Sequence, residues 1–532
     1  MSSKIKIRSS IFIPMSLIFL SSILLGILSP EKFYNLENYI VQFAFDKFGW
    51  LFQLSSLFFL LVCVFLMLSK FGNIRFGGKD AKPTMSNWTW FSITLCAGIG
   101  TGIMFWGIAE PITHFMNPPD YLNFAAGSES AATFALVTSY IHWTFIPYAM
   151  YSIIGIGSAY VVYNLNMPFQ VSSLLYPIFG RKINKTVIAI IDNLCIFSMA
   201  GGIAAILGVA TMQLGSGMEE LIGLSPNRIV WIAIVGTIVA SFIFSSYIGI
   251  QKGMKWLSDK NSKIYIAILA FIFIFGPTTF ILSLGTQATG EFIGTFFERT
   301  TILSPIIGSQ WPRWWPIYYW AIWVAYAPIS GMFFGSIAKG RTIREFLFYN
   351  LILPAVFGII WFAIFGSAAI HQQLNGTDLW GVIQNKGLEV SIYAFLKNYP
   401  LTKIFSWIMV ITIVISVITL CDSMTGTISK MSTIGDYSDS QEAPGYIKIF
   451  WGLVMSSLAI VNLLSPEGKI SGIDATKMIS TVAGFPLLFL MILLTCSILY
   501  MIINGDKHEI VCAEEDYEYK SPNSAIFDSE IN

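Results

Sequence analysis

The sequence predicts an all-α polytopic membrane protein with twelve transmembrane helices, and three observations support this prediction. First, 55% of the 532 residues are hydrophobic and only 11% are charged, with a mean hydropathy of +0.68. A soluble domain carries about 25% charged residues, so this composition fits a lipid solvent. Second, twelve apolar stretches follow one another along the chain. Third, the basic residues are concentrated in every second connection between those stretches.

The apolar stretches are each about 20 residues long, which is the length that a helix needs to cross a bilayer. The first stretch, residues 11–28, follows a basic tail and lacks a small-residue cleavage site, so we interpret it as an uncleaved span. The twelve stretches centre near residues 20, 59, 102, 149, 200, 239, 274, 325, 358, 418, 455 and 488. The longest connections are expected near residues 286–310 and 371–402.

The distribution of basic residues predicts the orientation. Counted from the N-terminal tail, every second connection together holds 21 of the 31 Lys and Arg residues. Basic residues are enriched on the cytoplasmic side of membrane proteins. We therefore expect a multi-pass protein of the cell (inner) membrane with both termini in the cytoplasm. Residues 506–532 are rich in acids, which is typical of a solvated tail, and they are too few for a sensor domain.

Composition and motifs argue against several other function classes. The net charge of +1 gives no reason to expect a nucleic-acid partner. The six cysteines are scattered without a C-x-x-C pair, which argues against a disulfide framework or a metal cluster. The sequence has neither an HExxH motif nor a serine-with-histidine arrangement, so we expect no enzymatic activity and no cofactor. The expected partners are a small-molecule substrate and the lipid membrane.

Three glycines interrupt the third apolar stretch, in the segment AGIGTGIMFWG at residues 97–107. Gly98, Gly100 and Gly102 recur at every second position, so they point around a helix rather than along one face. Transporters use broken helices to aim backbone amides and carbonyls at substrates and ions. The alternative is close helix packing through Gly98 and Gly102, which have the GxxxG spacing. Both interpretations are open at this point.

Aromatic residues recur at helical spacing in two stretches. Tyr319, Trp323 and Tyr326 fall at i, i+4 and i+7, and Tyr148 and Tyr151 fall at i and i+3 beside Trp143. Aromatic faces bind quaternary ammonium groups, which have no N–H to donate. The alternative is ordinary packing in the protein core.

Four motifs occur in order between residues 88 and 504: GIGTGIMFWGIAEPITHF, HWTFIPYAMY, WPIYYWAIWVAY and GSIAKGRTIREF. Together they resemble the betaine/carnitine/choline transporter family. The resemblance implies a LeuT-type fold, in which two extra helices precede two inverted repeats of five helices, and it implies a homotrimer. The domains would be residues 1–84 with the tail and the two extra helices, 85–285 and 305–505 as the repeats, and 506–532 as the acidic cytoplasmic tail.

The resemblance also implies a substrate site. The glycines match an unwound segment whose amides receive a carboxylate, and Ile322 stands where members that handle trimethylammonium compounds have tryptophan. We expect betaine, carnitine or choline as the substrate, and Tyr326 favours a carnitine-like one. An amino acid or a sulfonium zwitterion is the alternative. The substrate-binding residues implied are Gly98, Gly100, Gly102, Trp143, Tyr148, Tyr151, Trp320, Trp323 and Tyr326.

The family resemblance gives mixed evidence on the coupling ion. The Arg and Met that accompany sodium-independent carnitine exchange are replaced by Asn261 and Ser330, which favours a mobile cation. The family's Thr-Ser pair reads Thr419 and Leu420, so one hydroxyl ligand is missing. We expect sodium, with proton coupling and uncoupled carnitine-type exchange as alternatives. The expected sodium ligands are Thr419 and backbone oxygens of Cys96, Ile99 and Ser416.

Ionisable residues inside apolar stretches are expensive in lipid and are therefore candidates for function. Four qualify, namely Glu110, His142, Asp192 and Asp422. Asp422 follows Thr419 by one turn and is expected to support the ion site or a proton step, or else to stabilise its helix by a hydrogen bond. We interpret Glu110 as structural and His142 as a packing residue.

Overall fold

The computed structural model describes residues 6–98, 100–180, 183–248, 250–434, 443–463 and 472–505. This part of the chain is nearly all helix, which confirms the predicted all-α class. Its strands are β1 (Lys6–Ile7) and β2 (Thr433–Ile434), which pair antiparallel. The acidic tail, Ile99 and parts of several short connections between helices lie outside the described residues.

The described residues form nineteen α-helices. They are α1 Ser9–Leu28, α2 Pro30–Leu68, α3 Asn87–Gly98, α4 Gly100–Met116, α5 Glu129–Trp143, α6 Phe145–Tyr163, α7 Tyr176–Phe179, α8 Lys185–Ile222, α9 Arg228–Ile248, α10 Ile250–Phe275, α11 Thr278–Thr300, α12 Tyr318–Ser336, α13 Ile343–Leu347, α14 Leu353–Leu374, α15 Leu379–Lys386, α16 Ser391–Leu396, α17 Thr402–Met431, α18 Gly445–Leu463 and α19 Gly472–Ile503.

The helices have the length and composition of a multi-pass membrane protein. Among the described residues, eight helical segments are long and apolar enough to cross a membrane, or ten if two bent pairs each count as one span. Two shorter apolar segments, Arg228–Ile243 and Gly445–Val461, lie in α9 and α18. Every predicted centre falls within a helix. The multi-pass architecture is thus confirmed, whereas the count of twelve and the inverted repeats stay predictions.

A sharp turn separates α10 from α11. The two helix axes differ by 112° across Gly276 and Pro277. Proline has no N–H to donate to the preceding turn, and the Thr278 hydroxyl instead donates to the Phe273 carbonyl over 2.6 Å. The connection expected at residues 286–310 therefore begins with helix, because α11 continues to Thr300.

Two breaks in α-helical spans lie near the centre of the molecule. The axis of α3 and the axis of Gly102–Met116 in α4 differ by 57°. The second break is at Thr144, with φ −118° and ψ −107°, between α5 and α6. Pro147 explains it, because it cannot donate a hydrogen bond to the carbonyl four residues earlier. The Trp143 ring at the end of α5 lies against Tyr319 and Trp323 of α12.

Small residues let α6 and α12 pack closely. A Cβ on Gly331 would lie 2.5 Å from the Ile154 Cβ, and a Cβ on Gly335 would lie 1.9 Å from the Ser158 Oγ. These two glycines have the GxxxG spacing that allows backbones to approach inside membrane proteins. Tyr151 of α6 and Trp323 of α12 therefore lie close together, with ring centroids 6.4 Å apart.

We predict that Gly335→Ala destabilises the protein, because the added methyl group would overlap Ser158 and the Gly155 carbonyl. Overpacking of this kind costs about 1–3 kcal/mol, and the thermal unfolding midpoint of the purified protein in detergent should fall accordingly. The matched control is Gly236→Ala in α9, where a Cβ would meet nothing within 4 Å. Equal midpoints for the two variants would contradict the close contact.

Candidate functional site

The glycines of the broken span contact aromatic rings. A Cβ on Gly98 would lie 2.9 Å from the Tyr148 Cε1, and a Cβ on Gly102 would lie 2.6 Å from the Trp143 Cζ3. Gly100 begins α4. The expected break is therefore present, and Gly98 and Gly102 also allow a close approach, so the two readings of the glycines are compatible. Whether the backbone here receives a carboxylate stays a prediction.

Five of the six predicted aromatic residues form one cluster. Trp143 meets Trp323 edge to face with ring centroids 5.1 Å apart. Trp323 lies 6.4 Å from Tyr151 and 6.4 Å from Tyr326, and Tyr148 lies 6.3 Å from Tyr151. All five side chains are buried. Residues from α5, α6 and α12 thus build a continuous aromatic wall.

The sixth predicted residue, Trp320, is placed apart from this wall. Its indole N–H donates to the Gln53 side chain on α2 over 2.6 Å, and Gln53 in turn donates to the Ile302 carbonyl. Tyr319 instead joins the wall, with its ring 5.5 Å from Trp143 and 5.9 Å from Trp323. The signal for Tyr319 was present in the sequence, because it shares the i, i+4, i+7 stripe with Trp323 and Tyr326.

Glu110 lies at the centre of a buried hydrogen-bond network beside this wall. Its Oε2 accepts hydrogen bonds from the Trp143 indole and the Tyr319 hydroxyl, each 2.6 Å long. Its Oε1 is 2.6 Å from the His142 Nδ1 and 3.6 Å from the His114 Nε2. The His142 carbonyl accepts from the Trp323 indole over 3.0 Å. Three wall residues are therefore held by the Glu110 and His142 pair, which sequence reasoning had taken as structural.

Most polar groups of the wall form hydrogen bonds with other protein groups. Besides the bonds of Trp143, Tyr319 and Trp323, the Tyr326 hydroxyl donates to the Gly202 carbonyl on α8. A Cβ on Gly202 would lie 2.7 Å from the Tyr326 ring, so that glycine also permits the contact. What remains for a ligand is mainly π surface, which attracts a cation that has no N–H of its own. The Tyr148 hydroxyl differs, since it has no partner among the described residues.

Glu110, His114 and His142 are also the described residues that could together hold a metal ion. Their ligand atoms lie within 4.8 Å of one another, and all three side chains are buried. However, both carboxylate oxygens of Glu110 already accept hydrogen bonds or face an imidazole at 2.6 Å. A metal would have to displace the His142 contact, so the geometry fits a hydrogen-bond network better.

A second polar centre lies where α3, α10 and α17 meet. The Asn261 amide donates to the Ser416 hydroxyl over 2.8 Å and to the Cys96 sulfur over 3.6 Å. The Tyr265 hydroxyl is 2.7 Å from the same Ser416 oxygen. The Asn261 side-chain oxygen is buried and has no partner among the described residues. The side chains of Cys96 and Ser416 therefore meet at Asn261, while their backbone oxygens stay predicted sodium ligands.

Three other positions considered for ion coupling, Thr419, Leu420 and Asp422, lie on α17, and Ser330 lies on α12. The Thr419 hydroxyl donates to the Ile415 carbonyl within α17, over 2.8 Å. Leu420 and Asp422 are buried on the same helix, and Ser330 on α12 donates to the Met424 sulfur. Ile99 lies outside the described residues. The structure thus leaves the sodium site as a prediction.

Asp192 has an anchoring role. Its carboxylate pairs with Arg8 over 2.8 Å and accepts from both the backbone and the hydroxyl of Ser172. The guanidinium and the carboxylate are both buried. This pair ties the start of α1 to α8, which accounts for a charged residue in an apolar stretch.

The GSIAKGRTIREF segment is tied to the ends of α2 and α3. Arg344 donates to the Met67 and Ser69 carbonyls, and Arg341 donates to the Met85 carbonyl. Thr342 caps α13 with Glu345 as a reciprocal partner. The two arginines therefore act as anchors of this connection.

Comparison with known proteins decides the family. The family model described as "BCCT, betaine/carnitine/choline family transporter" matches residues 10–507. The chain belongs to this family. It is therefore a membrane transporter of a small molecule, as the four motifs predicted, and no catalytic activity is indicated.

Characterised relatives of this transporter have different substrates in their names. It is 29% identical to an ectoine/hydroxyectoine transporter of Virgibacillus pantothenticus, over 97% of this chain and 100% of the relative. It is 30% identical to the glycine betaine transporter OpuD of Bacillus subtilis, over 97% of this chain and 98% of the relative. It is 29% identical to an osmo-dependent choline transporter of Acinetobacter baylyi, over 92% and 70%.

We predict that Gly102→Ala weakens substrate binding, because the new methyl group would occupy space held by the Trp143 ring. Displacing one aromatic face should raise the KM of transport about tenfold, in line with a loss of roughly 1–2 kcal/mol. The control is Gly294→Ala on α11, where a Cβ would meet nothing within 4 Å. An unchanged KM for Gly102→Ala would show that Trp143 does not contribute to the site.

Proposed function

We propose that this transporter takes up a trimethylammonium zwitterion or cation, namely betaine, carnitine or choline, by ion-coupled alternating access. The observation that carries the proposal is the aromatic wall, which consists of Trp143, Tyr148, Tyr151, Tyr319, Trp323 and Tyr326. Its hydrogen-bond donors are bonded mainly to the protein, so the wall presents π faces. Such faces bind a cation by cation–π attraction and by contact with its methyl groups.

The broken span supplies a second argument for a zwitterion. Gly98 and Gly102 bring α3 and α4 against the aromatic wall, and the first turn of α4 begins between them at Gly100. The N-terminus of a helix has unsatisfied backbone N–H groups that favour an anion. A carboxylate placed there would lie beside an ammonium group held by the rings. Betaine and carnitine carry both groups.

A different zwitterion is the second candidate, because the Tyr148 hydroxyl has no partner among the described residues. That hydroxyl is available to a substrate that has its own N–H groups, such as the cyclic amidinium of ectoine. The change to Ile322 also favours this alternative, since a methyl-rich head group gains less where one aromatic face is absent. A relative of this chain is named as an ectoine transporter.

For coupling, we propose sodium bound by Thr419 and the backbone oxygens of Cys96, Ile99 and Ser416. Support comes from the meeting of α3, α10 and α17 around Asn261. The unpartnered Asn261 side-chain oxygen is a hard ligand of the kind that sodium prefers, and it could replace the hydroxyl missing at Leu420. Proton coupling and cation-independent carnitine-type exchange are the alternatives.

The assembly and its placement follow the family resemblance and the charge distribution. We propose a homotrimer in the inner membrane, with both termini in the cytoplasm and the two repeats at residues 85–285 and 305–505. The proposal on orientation is supported by 21 of the 31 basic residues lying on one side.

The experiment that tests the proposed function is uptake of radiolabelled betaine, carnitine, choline and ectoine into proteoliposomes, with and without an inward sodium gradient. We expect one trimethylammonium compound to accumulate, and to do so only with the gradient. Counterflow without a gradient would establish an exchanger, and accumulation driven by a proton gradient would replace sodium by protons. Uptake of ectoine alone would overturn the trimethylammonium assignment.

We predict that Asn261→Ala raises the sodium concentration needed for half-maximal uptake by about tenfold, because one oxygen ligand is lost. Thr419→Ala should act in the same direction, whereas Thr237→Ala on α9, whose hydroxyl also donates to a carbonyl of its own helix, is the control and should leave sodium dependence unchanged. Sodium titration of uptake at saturating substrate measures the effect. If Asn261→Ala leaves the sodium titration unaltered, the ion site lies elsewhere.

A further inference from the structure

Glu110 is buried among aromatic residues, and no cation of Lys or Arg is paired with it in the described contacts. Burying a carboxylate costs several kcal/mol unless donors compensate. Here the compensating donors are the Trp143 indole and the Tyr319 hydroxyl on Oε2, with the His142 imidazole on Oε1. Trp143 and Tyr319 belong to the aromatic wall, and the His142 ring lies 4.5 Å from the Tyr319 ring. The cost of burial is thus met by the residues that would bind the substrate.

This arrangement fixes the orientation of two wall residues at once. A single oxygen accepts from Trp143 on α5 and from Tyr319 on α12, so neither side chain can move away from Glu110 without losing a charge-assisted bond. The His142 carbonyl fixes Trp323 in the same way. The relative placement of the Trp143 and Tyr319 rings therefore depends on one carboxylate on α4.

The same bonds act on the electrons of the rings. Hydrogen-bonded chains polarise one another in a low-dielectric interior, and a negative acceptor draws positive charge toward the N–H and O–H ends. The faces of Trp143 and Tyr319 then become more negative, which strengthens their attraction for a cation. A neutral ligand of the same shape gains nothing from this effect.

We propose that Glu110 is a positioning residue that makes the aromatic wall selective for cationic head groups, through the Trp143 and Tyr319 rings rather than by contact with the substrate. This inference rests on the proposed function, because it assumes a trimethylammonium substrate in the wall. It assigns a role to a residue that sequence reasoning took as structural.

Glu110→Gln separates charge from geometry. The amide oxygen can accept from both Trp143 and Tyr319, and the amide nitrogen can donate to the His142 Nδ1 when neutral His142 carries its proton on Nε2, so each bond of the carboxylate has a counterpart in that tautomer. The substitution removes the negative charge of the ionised carboxylate. Tyr319→Phe is the complementary variant, since it keeps the ring and the charge but removes one of the two polarising bonds.

The measurement compares each ammonium compound with the isostere in which a carbon atom replaces the positively charged nitrogen. Choline is paired with 3,3-dimethylbutan-1-ol, and betaine with 3,3-dimethylbutanoate, with inhibition constants taken from competition against radiolabelled substrate. We expect Glu110→Gln to bind the ammonium compound about tenfold more weakly, about 1.4 kcal/mol, with the isostere's constant unchanged. Tyr319→Phe should show the same selective loss to a smaller extent. Asp192→Asn, which removes a buried carboxylate in the anchor of α1, should alter neither ratio.

Two results would overturn the inference. Equal losses for cation and isostere would show a role in packing alone, and unchanged constants for both would show that the charge does not reach the substrate. If Glu110→Gln does not fold, Tyr319→Phe decides, because a cation-to-isostere ratio equal to wild type there overturns the inference. Failure of the proposed function is recognised separately, since wild-type protein would then bind none of the trimethylammonium compounds.

Discussion

The buried carboxylate of Glu110 is the constraint on which the rest of the central site depends. An ionised group inside a membrane protein must receive hydrogen bonds from its surroundings or it destabilises the fold. Glu110 lies on α4 and accepts hydrogen bonds from Trp143 on α5 and from Tyr319 on α12. The consecutive helices α4 and α5 are therefore held in one arrangement with α12, which is distant in the sequence. The requirement to satisfy a charge and the requirement to orient aromatic faces are met by the same bonds.

Close backbone approach is the second requirement, and glycine meets it repeatedly. Gly102 accommodates Trp143, Gly202 accommodates Tyr326, and Gly335 allows α12 to lie against Ser158 of α6. A side chain at any of these positions would overlap an atom already present. The aromatic wall is large, so the helices that carry it can pack only where the facing residue has no side chain. This explains why poor helix formers occur at the middle of apolar spans.

The broken span contacts both the polar centre around Asn261 and the aromatic wall, which offers a physical basis for coupling these two places. Cys96 contacts Asn261 at the junction of α3, α10 and α17, and two residues later Gly98 lies against Tyr148 of the aromatic wall. A ligand bound at either centre would therefore restrain the same short segment of α3. Coupling between ion and substrate requires such a shared element, whose arrangement both ligands influence. The break between α3 and α4 places it where backbone is already irregular.

The sequence by itself determined the membrane character, the family, the broken third span and the i, i+4, i+7 stripe that contains Tyr319. These follow from composition, helical period and local motifs, which are readable without knowing what packs against what. Tertiary structure decided which residues meet. Trp320 turns toward Gln53 because its N–H finds an acceptor on α2, and Glu110 becomes a hub because α5 and α12 each bring a donor to it. Hydrogen bonds between residues more than 30 positions apart leave no local pattern, so only the folded chain reveals them.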